Sequence, residues 1–335
     1  MKKVCIIYTG GTIGMTKTDK GYAPKEGYFK GALEEIDDLK REEIPDFELV
    51  EMHPLLDSSN MTLHEWNKIS EEIEKRYDDF DGFVILHGTD TMAYTASALS
   101  FSLENLSKPV VLTGSQIPLC EIRSDGRDNL ITSLMIAAGG IVNEVCLYFG
   151  GKLMRGNRAT KYSADGLIAF KSPNFPLLAE AGIEIKYNQS LSKSFCKGKF
   201  KACRFRPVPI GVIKVFPGIQ FELFESIMTE KLKGIVIETF GAGNIPASEN
   251  ELLPIIEKAF KSGTVITVCS QCPEGSVALG TYETSSALKG AGAVSGHDIT
   301  TEAAVCKLYY LFSKGYDAST VKNMMEENIR GEMSI

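Results

Sequence analysis

A hydroxyl nucleophile needs an adjacent base, and the base needs a third group to hold it. Three short stretches of this chain carry those residue types. Thr9-Gly10-Gly11-Thr12-Ile13-Gly14 follows the apolar run Val4–Tyr8 and offers Thr12. His87-Gly88-Thr89-Asp90-Thr91 follows a second apolar run and offers a threonine beside a carboxylate. Arg155-Gly156-Asn157-Arg158-Ala159-Thr160-Lys161 offers a lysine between a threonine and a tyrosine. Thr89, Lys161 and Asp90 supply the three roles without a histidine. Plainer readings stand beside these. Asp90 at a helix start is a natural N-cap, and His87 is an ordinary strand-end residue. The charge runs Arg123–Asn129 and Arg155–Lys161 suit solvated faces. His53, His64, His87 and His297 are scattered and share no metal-ligand spacing, so no metal is expected.

The first glycine stretch does not match a phosphate loop. It is not G-x-G-x-x-G, and no Gly-Lys-Ser/Thr follows. Residues 15–31 contain Gly21, Gly27, Gly31 and Pro24 and are expected to form a long, mobile, glycine-hinged loop, as an active-site lid would be. Thr12 is then an exposed hydroxyl at the base of the lid, and Tyr22 a lid residue able to close over it.

These stretches need a sheet to position them. Apolar runs predict strands at 4–8, 47–52, 83–87, 109–113, 145–149, 208–215, 234–239 and 264–269. Helical spacing predicts helices at 62–77, 92–105, 127–139, 220–232, 250–262, 301–314 and 318–328. Thr62 with Glu65 three residues on forms a capping-box pattern. Several strands, such as Phe83-Val84-Ile85-Leu86, are apolar at consecutive positions, as strands buried on both faces are. The expected fold class is α/β: a larger N-terminal domain with a mainly parallel sheet flanked by helices, and a smaller C-terminal α/β domain. Residues 186–206 break the rhythm with seven basic residues and no acidic one. Phe195, Phe200 and Phe205 between those charges would suit an anion or RNA patch, but a linker hairpin is preferred because the rest of the chain is acidic. The expected division is 1–190, a linker at 191–209, and 210–335.

The 335 residues carry 36 Lys plus Arg and 43 Asp plus Glu, a formal charge of −7. Hydrophobic residues make up 44%, enough to bury a core, which excludes intrinsic disorder. The acidic balance argues against nucleic-acid binding. No stretch approaches the ~18 consecutive apolar residues of a membrane span. After Met1-Lys2-Lys3 the apolar run is too short for a secretory signal. The eight cysteines form no tight framework, as expected of a cytoplasmic protein with free thiols.

With these motifs in view, the chain resembles the bacterial L-asparaginases, and among them the cytoplasmic type I enzymes. The resemblance runs from Thr9–Gly14 to Asn328–Glu332 and rests most firmly on the TGGTIG and HGTDTM stretches. Asp57-Ser58-Ser59, the RGNRATK run and Phe240-Gly241-Ala242-Gly243-Asn244-Ile245-Pro246 support it. It implies hydrolysis of L-asparagine to L-aspartate and ammonia without a cofactor. It gives Thr12 the role of nucleophile and Tyr22 that of lid partner, with Thr89, Asp90 and Lys161 as a second cluster. Asp57, Ser58 and Ser59 would hold the substrate's α-carboxylate and Asp90 its ammonium. It also implies a homodimer or homotetramer, in which Asn244 is a candidate for closing a neighbour's site.

Two positions depart from the pattern. Asn60 stands where many relatives carry Asp. Glu238 stands where some type I relatives carry an arginine serving a regulatory asparagine site, while Thr160 and Cys272 match other positions of that site. The rival enzyme readings are a glutamine-preferring amidohydrolase and an amidotransferase-type ammonia donor. The latter adds an N-terminal domain, for which no room is expected ahead of Lys2. The non-enzyme alternative is an amino-acid-binding protein, and the presence of Thr12, Tyr22, Thr89, Asp90 and Lys161 together speaks against it.

Overall fold

The computed structural model describes residues 2–19, 21–191, 198–246, 252–280 and 283–334. Lys20 of the expected lid, residues 192–197 of the expected linker (with Phe195 and Cys196), and the start of the expected 250–262 helix lie outside the described residues. The chain divides into two compact units, Met1–Cys203 and Arg204–Ile335.

In chain order the first unit contains β1 (Lys3–Gly10), β2 (Met15–Thr18), β3 (Gly21–Pro24), α1 (Tyr28–Glu34), β4 (Asp46–Leu56), α2 (Leu63–Arg76) and β5 (Gly82–Leu86). It continues with α3 (Met92–Ser102), β6 (Val110–Thr113), α4 (Gly126–Gly139), β7 (Val145–Phe149), β8 (Lys152–Arg155), β9 (Ala179–Ala181) and β10 (Ile185–Tyr187). Its eight-stranded sheet runs β10-β9-β8-β7-β6-β5-β1-β4. The half from β4 to β7 is parallel, and β8, β9 and β10 add antiparallel.

Successive side chains of a strand point to opposite faces, and here both faces are covered. Phe83 and Ile85 of β5 enter one core with Ile69 and Ile73 of α2 and Ala96 and Leu99 of α3. Val84 and Leu86 enter the other core with Phe29 and Leu33 of α1 and Leu130 and Leu134 of α4. This double burial is why the strand is apolar at every position. The capping box at the start of α2 is formed by Thr62 and Glu65.

Two stretches differ from expectation in this unit. Residues 15–31 hold regular structure: β2 and β3 form an antiparallel hairpin, pairing Met15 with Pro24 and Lys17 with Tyr22, and α1 follows. Lys201–Ala202, inside the expected linker, pairs antiparallel with Leu103–Glu104. Phe200 stacks on Tyr77 with ring centroids 3.7 Å apart, which draws this basic stretch onto the first unit.

The second unit contains β11 (Ile210–Lys214), β12 (Gly234–Thr239), α5 (Leu252–Lys261), β13 (Val265–Ser270), α6 (Glu283–Gly290), β14 (Val294–Ser295), α7 (Thr301–Ser313) and α8 (Ala318–Met325). Its four strands run β11-β12-β13-β14, all parallel. The expected 220–232 helix is instead a 3-10 turn at Phe221–Phe224 and a π turn at Ile227–Lys231. Phe221 and Met228 are buried while Leu223 and Ile227 face solvent, so the apolar residues form no single helical stripe. Lys307 of α7 and Glu332 make a fully buried ion pair at 2.7 Å, which anchors the C-terminal segment.

Candidate active site

Parallel pairing sets Tyr8 of β1 against Leu86 of β5, and Leu86 against Thr113 of β6. The strands therefore end level, and Thr12, Thr89 and Gln116 follow at their carboxyl ends. In open α/β sheets a crevice forms where connections leave in opposite directions. Here β1 lies between β4 and β5, which succeed it in the chain on either side.

Glycine lets the three loops close up. A Cβ on Gly10 would lie 2.2 Å from the Leu56 carbonyl oxygen, and one on Gly11 would lie 2.3 Å from the Gly88 nitrogen. A Cβ on Gly88 would lie 2.5 Å from Ser58 Oγ. Gly10 and Gly11 also have φ of +118° and +82°, which L side chains rarely adopt. The structure thus brings Thr12, Ser58 and Thr89 to adjoining backbones. Thr12 opens a 3-10 turn, Thr12–Gly14, and is partly buried. Neither its hydroxyl nor its N–H makes a hydrogen bond among the described residues.

Lys161 lies in a short antiparallel pair opposite Phe170. Its Nζ donates to Thr89 Oγ1 at 2.9 Å and to Asp90 Oδ1 at 2.6 Å. The Thr89 hydroxyl donates in turn to Gln116 Oε1 at 3.1 Å. Gln116 Nε2 donates to the Ala164 and Gly166 carbonyls, each at 3.2 Å, which fixes the side-chain amide so that its oxygen faces Thr89. The Gln116 and Ile117 N–H groups are held by the Asp125 carboxylate at 3.0–3.1 Å. Asp90 is not the cap of α3. Thr91 holds the N-cap position without a side-chain cap bond, and its hydroxyl donates to the Ser58 carbonyl at 2.7 Å. The plainer N-cap reading of Asp90 therefore gives way to an ion pair with Lys161.

Asp57 accepts from the Ser59 N–H at 3.0 Å and so caps the short turn Ser58–Asn60. Ser58 is buried against Gly88, whereas Asp57 and Ser59 are exposed. Asn60 is exposed, and its N–H donates to the Asp57 carbonyl at 3.0 Å. Tyr22 stands on β3, 46% exposed, and its hydroxyl donates to Glu121 Oε1 at 2.7 Å. That bond raises the phenol's pKa. Tyr22 therefore lies against Glu121 rather than closing over Thr12. His87 is fully buried, and desolvation lowers its pKa to about 4, so the ring is neutral.

Thr160, in the first unit, pairs with Lys171. In the second unit, Glu238 on β12 accepts from the Thr301 hydroxyl at 2.6 Å and lies 4.0 Å from Lys214. Cys272 follows β13 and is exposed. Asn244 closes its glycine-rich turn through paired backbone bonds with Phe240 at 2.8 and 2.9 Å. Sequence reasoning missed the clamp of Gln116 on Thr89 and the contact of Glu121 with Tyr22. Gln116 carried a signal, since Gly114-Ser115-Gln116 follows the strand expected at 109–113 just as the glycine stretches follow theirs. Glu121, one charge in a polar loop, carried none. Among the described residues no three His, Cys, Asp or Glu side chains are grouped to hold a metal ion.

Residues 3–193 match the family described as asparaginase, N-terminal, and residues 209–325 match the glutaminase/asparaginase C-terminal domain. The chain is 46% identical over 333 residues to L-asparaginase 1 of Escherichia coli K12, covering 99% of this chain and 98% of that protein. It is similar to the crystal structure of L-asparaginase I from Vibrio cholerae, with a TM-score of 0.92 and 46% identity, covering 100% of this chain and 99% of the other. The thermostable L-asparaginase from Thermococcus kodakarensis superposes with a TM-score of 0.90 at 32% identity, with 99% of each chain covered.

Proposed function

The chain belongs to the asparaginase family and hydrolyses L-asparagine to L-aspartate and ammonia; we propose that it does so through an ester on Thr12. The observation that carries this assignment is the backbone contact of Gly11 with Gly88, which seats Thr12 beside the Lys161–Thr89–Asp90 cluster.

The Thr12 oxygen attacks the side-chain amide carbon, a C–O bond forms, and negative charge gathers on the amide oxygen. The Thr12 and Thr89 N–H groups have no partner among the described residues and stand as donors for that oxygen. The C–N bond then breaks and ammonia leaves with the proton given up by the nucleophile. Water hydrolyses the ester and restores Thr12. Asp90 uses only Oδ1 on Lys161, leaving Oδ2 for the substrate's α-ammonium. Ser58 and Ser59, on the turn capped by Asp57, offer hydroxyl and backbone donors to the α-carboxylate. Tyr22 would leave Glu121 to cover the bound substrate.

The reading extends to a cytoplasmic protein, which the seven described cysteines, all free, suit, and to the homodimer or homotetramer that the resemblance to type I asparaginases implies. In that assembly Asn244 is the candidate contributor to a neighbour's site. The test is ammonia release by the purified protein from asparagine, with glutamine in parallel and with Thr12→Ala as control. Faster release from glutamine would favour the glutaminase reading. Turnover by a folded Thr12→Ala protein would remove the ester mechanism.

A further inference from the structure

His87 follows β5 and is fully buried at the foot of the crevice loop. Both ring nitrogens are bonded: Nε2 lies 2.8 Å from Thr95 Oγ1, and Nδ1 lies 2.7 Å from the Gly88 carbonyl oxygen. Trp66 Nε1 reaches the same Thr95 oxygen at 3.0 Å. A carbonyl oxygen only accepts, so Nδ1 must carry the single proton of the neutral ring and donate it to Gly88. Nε2 then accepts from the Thr95 hydroxyl, which itself accepts from the Trp66 indole. The relay has one direction, from Trp66 through Thr95 and His87 to Gly88.

The Gly88 carbonyl and the Thr89 N–H are the two ends of one planar trans peptide and point opposite ways. Holding the carbonyl toward the core turns the N–H away from it. That N–H donates to no group among the described residues. The Thr89 hydroxyl is by contrast fully engaged, by Lys161 and Gln116. We propose that His87 is a positioning residue for the reaction: by holding the Gly88 carbonyl it aims the Thr89 N–H at the oxygen of the substrate amide. It touches neither substrate nor nucleophile. This inference rests on the reading of Thr12 and Thr89 as lining the reaction crevice.

Two amides separate positioning from core filling. Asn carries its N–H near the position of Nδ1 and can still donate to Gly88. Gln places its amide near Nε2, serves Thr95 and abandons Gly88. Both lose one core hydrogen bond, so both should lower the melting temperature by a similar amount. His87→Asn should keep kcat within ~3-fold. His87→Gln should lose ~10-fold or more in kcat at little-changed KM, less than the ~10²–10³ of deleting an oxyanion donor outright. Thr95→Val, which removes the proton sent to Nε2 while keeping the side-chain shape, should lower kcat in the same sense and guards against a His87 variant that fails to fold. Equal kcat for the Asn and Gln variants, or an unchanged kcat in Thr95→Val, would overturn the proposal and leave His87 a core residue. Thr12→Ala run alongside keeps the premise separate. If Thr12→Ala stays active, the crevice reading falls and this inference falls with it. If Thr12→Ala is inactive while His87→Gln turns over normally, only the inference falls.

Discussion

Lys161 spends two of its three protons on neighbours that do different work. One bond goes to the Thr89 hydroxyl and the other to the Asp90 carboxylate, at 2.9 and 2.6 Å. Asp90→Ala removes the anion meant for the substrate's ammonium and should raise KM strongly. It also strips Lys161 of its counter-ion, so kcat should fall as well. Lys161→Met should act mainly on kcat, by the ~10²–10⁴-fold typical of lost proton-transfer help. Because the two groups form one ion pair, the double variant should lose less than the product of the single losses. Steady-state kinetics on the three variants checks this. Strict multiplicativity would mean that the pair does not act together in turnover. At this scale much of the site was legible in the sequence, because Thr12, Thr89 and Asp90 follow strand ends directly. The partner of Tyr22 was not, since Tyr22 and Glu121 are 99 residues apart and both lie in polar stretches.

The strands and helices that feed two cores announce themselves, and those that feed none do not. β1, β5, β6 and β7 carry runs of consecutive apolar residues, such as Val4–Tyr8 and Val110–Leu112, because both faces are covered. The hairpin β2–β3 is mostly exposed and carries Lys17 and Thr18, so no apolar alternation marks it. Its glycines were the visible feature, and glycine suits a hairpin and a mobile loop alike. Elsewhere glycine carries a sharper demand. Gly11→Ala would drive a Cβ onto the Gly88 nitrogen, backbone against backbone, at a φ of +82°. We expect a loss of ~1–3 kcal/mol in stability from strain and a fall in kcat/KM of ~10²-fold or more from displacing one loop against the other. Calorimetry and kinetics together decide it, and a variant with normal kcat/KM would show that the crevice tolerates separated loops. The β5–α3 junction makes a second demand, on pH. His87 titrates near ~6.5 when unfolded but only at about 4 in the fold, because burial disfavours its charge. The unfolded chain therefore takes up this proton first as pH falls. Its contribution is intact above ~6.5 and is lost progressively down to about 4, amounting to ~3 kcal/mol. Between pH 7 and 5 the melting temperature of the wild type should fall more steeply than that of His87→Asn. Parallel profiles would contradict the neutral buried ring.

For the molecule as a whole, the open question is how its rate responds to asparagine. The resemblance to type I enzymes raises regulation by a second asparagine, served in some relatives by an arginine where this chain has Glu238. A free amino acid brings a carboxylate that must leave water to bind. A cation at that position would meet it with a charge-assisted hydrogen bond, worth ~1.5–3 kcal/mol. Glu238 presents a like charge, engaged by the Thr301 hydroxyl at 2.6 Å. Lys214 could have replaced the missing cation, because β11 sets it directly beside Glu238. It lies 4.0 Å from that carboxylate, however, and is two-thirds exposed, so its charge is shared with Glu238 and screened by water. Even ~1.4 kcal/mol of lost attraction weakens an effector tenfold. An effector shifts a conformational equilibrium only by its differential affinity for the two states. Saturation by asparagine should therefore be close to hyperbolic. Glu238→Arg should introduce sigmoidicity if the rest of such a site is intact, and Lys214→Met should leave the wild-type curve shape unchanged. Initial rates across a wide asparagine range for the three proteins test the argument. A clearly sigmoidal wild-type curve that becomes hyperbolic in Lys214→Met would show that Lys214 does the work of the arginine despite its neighbour.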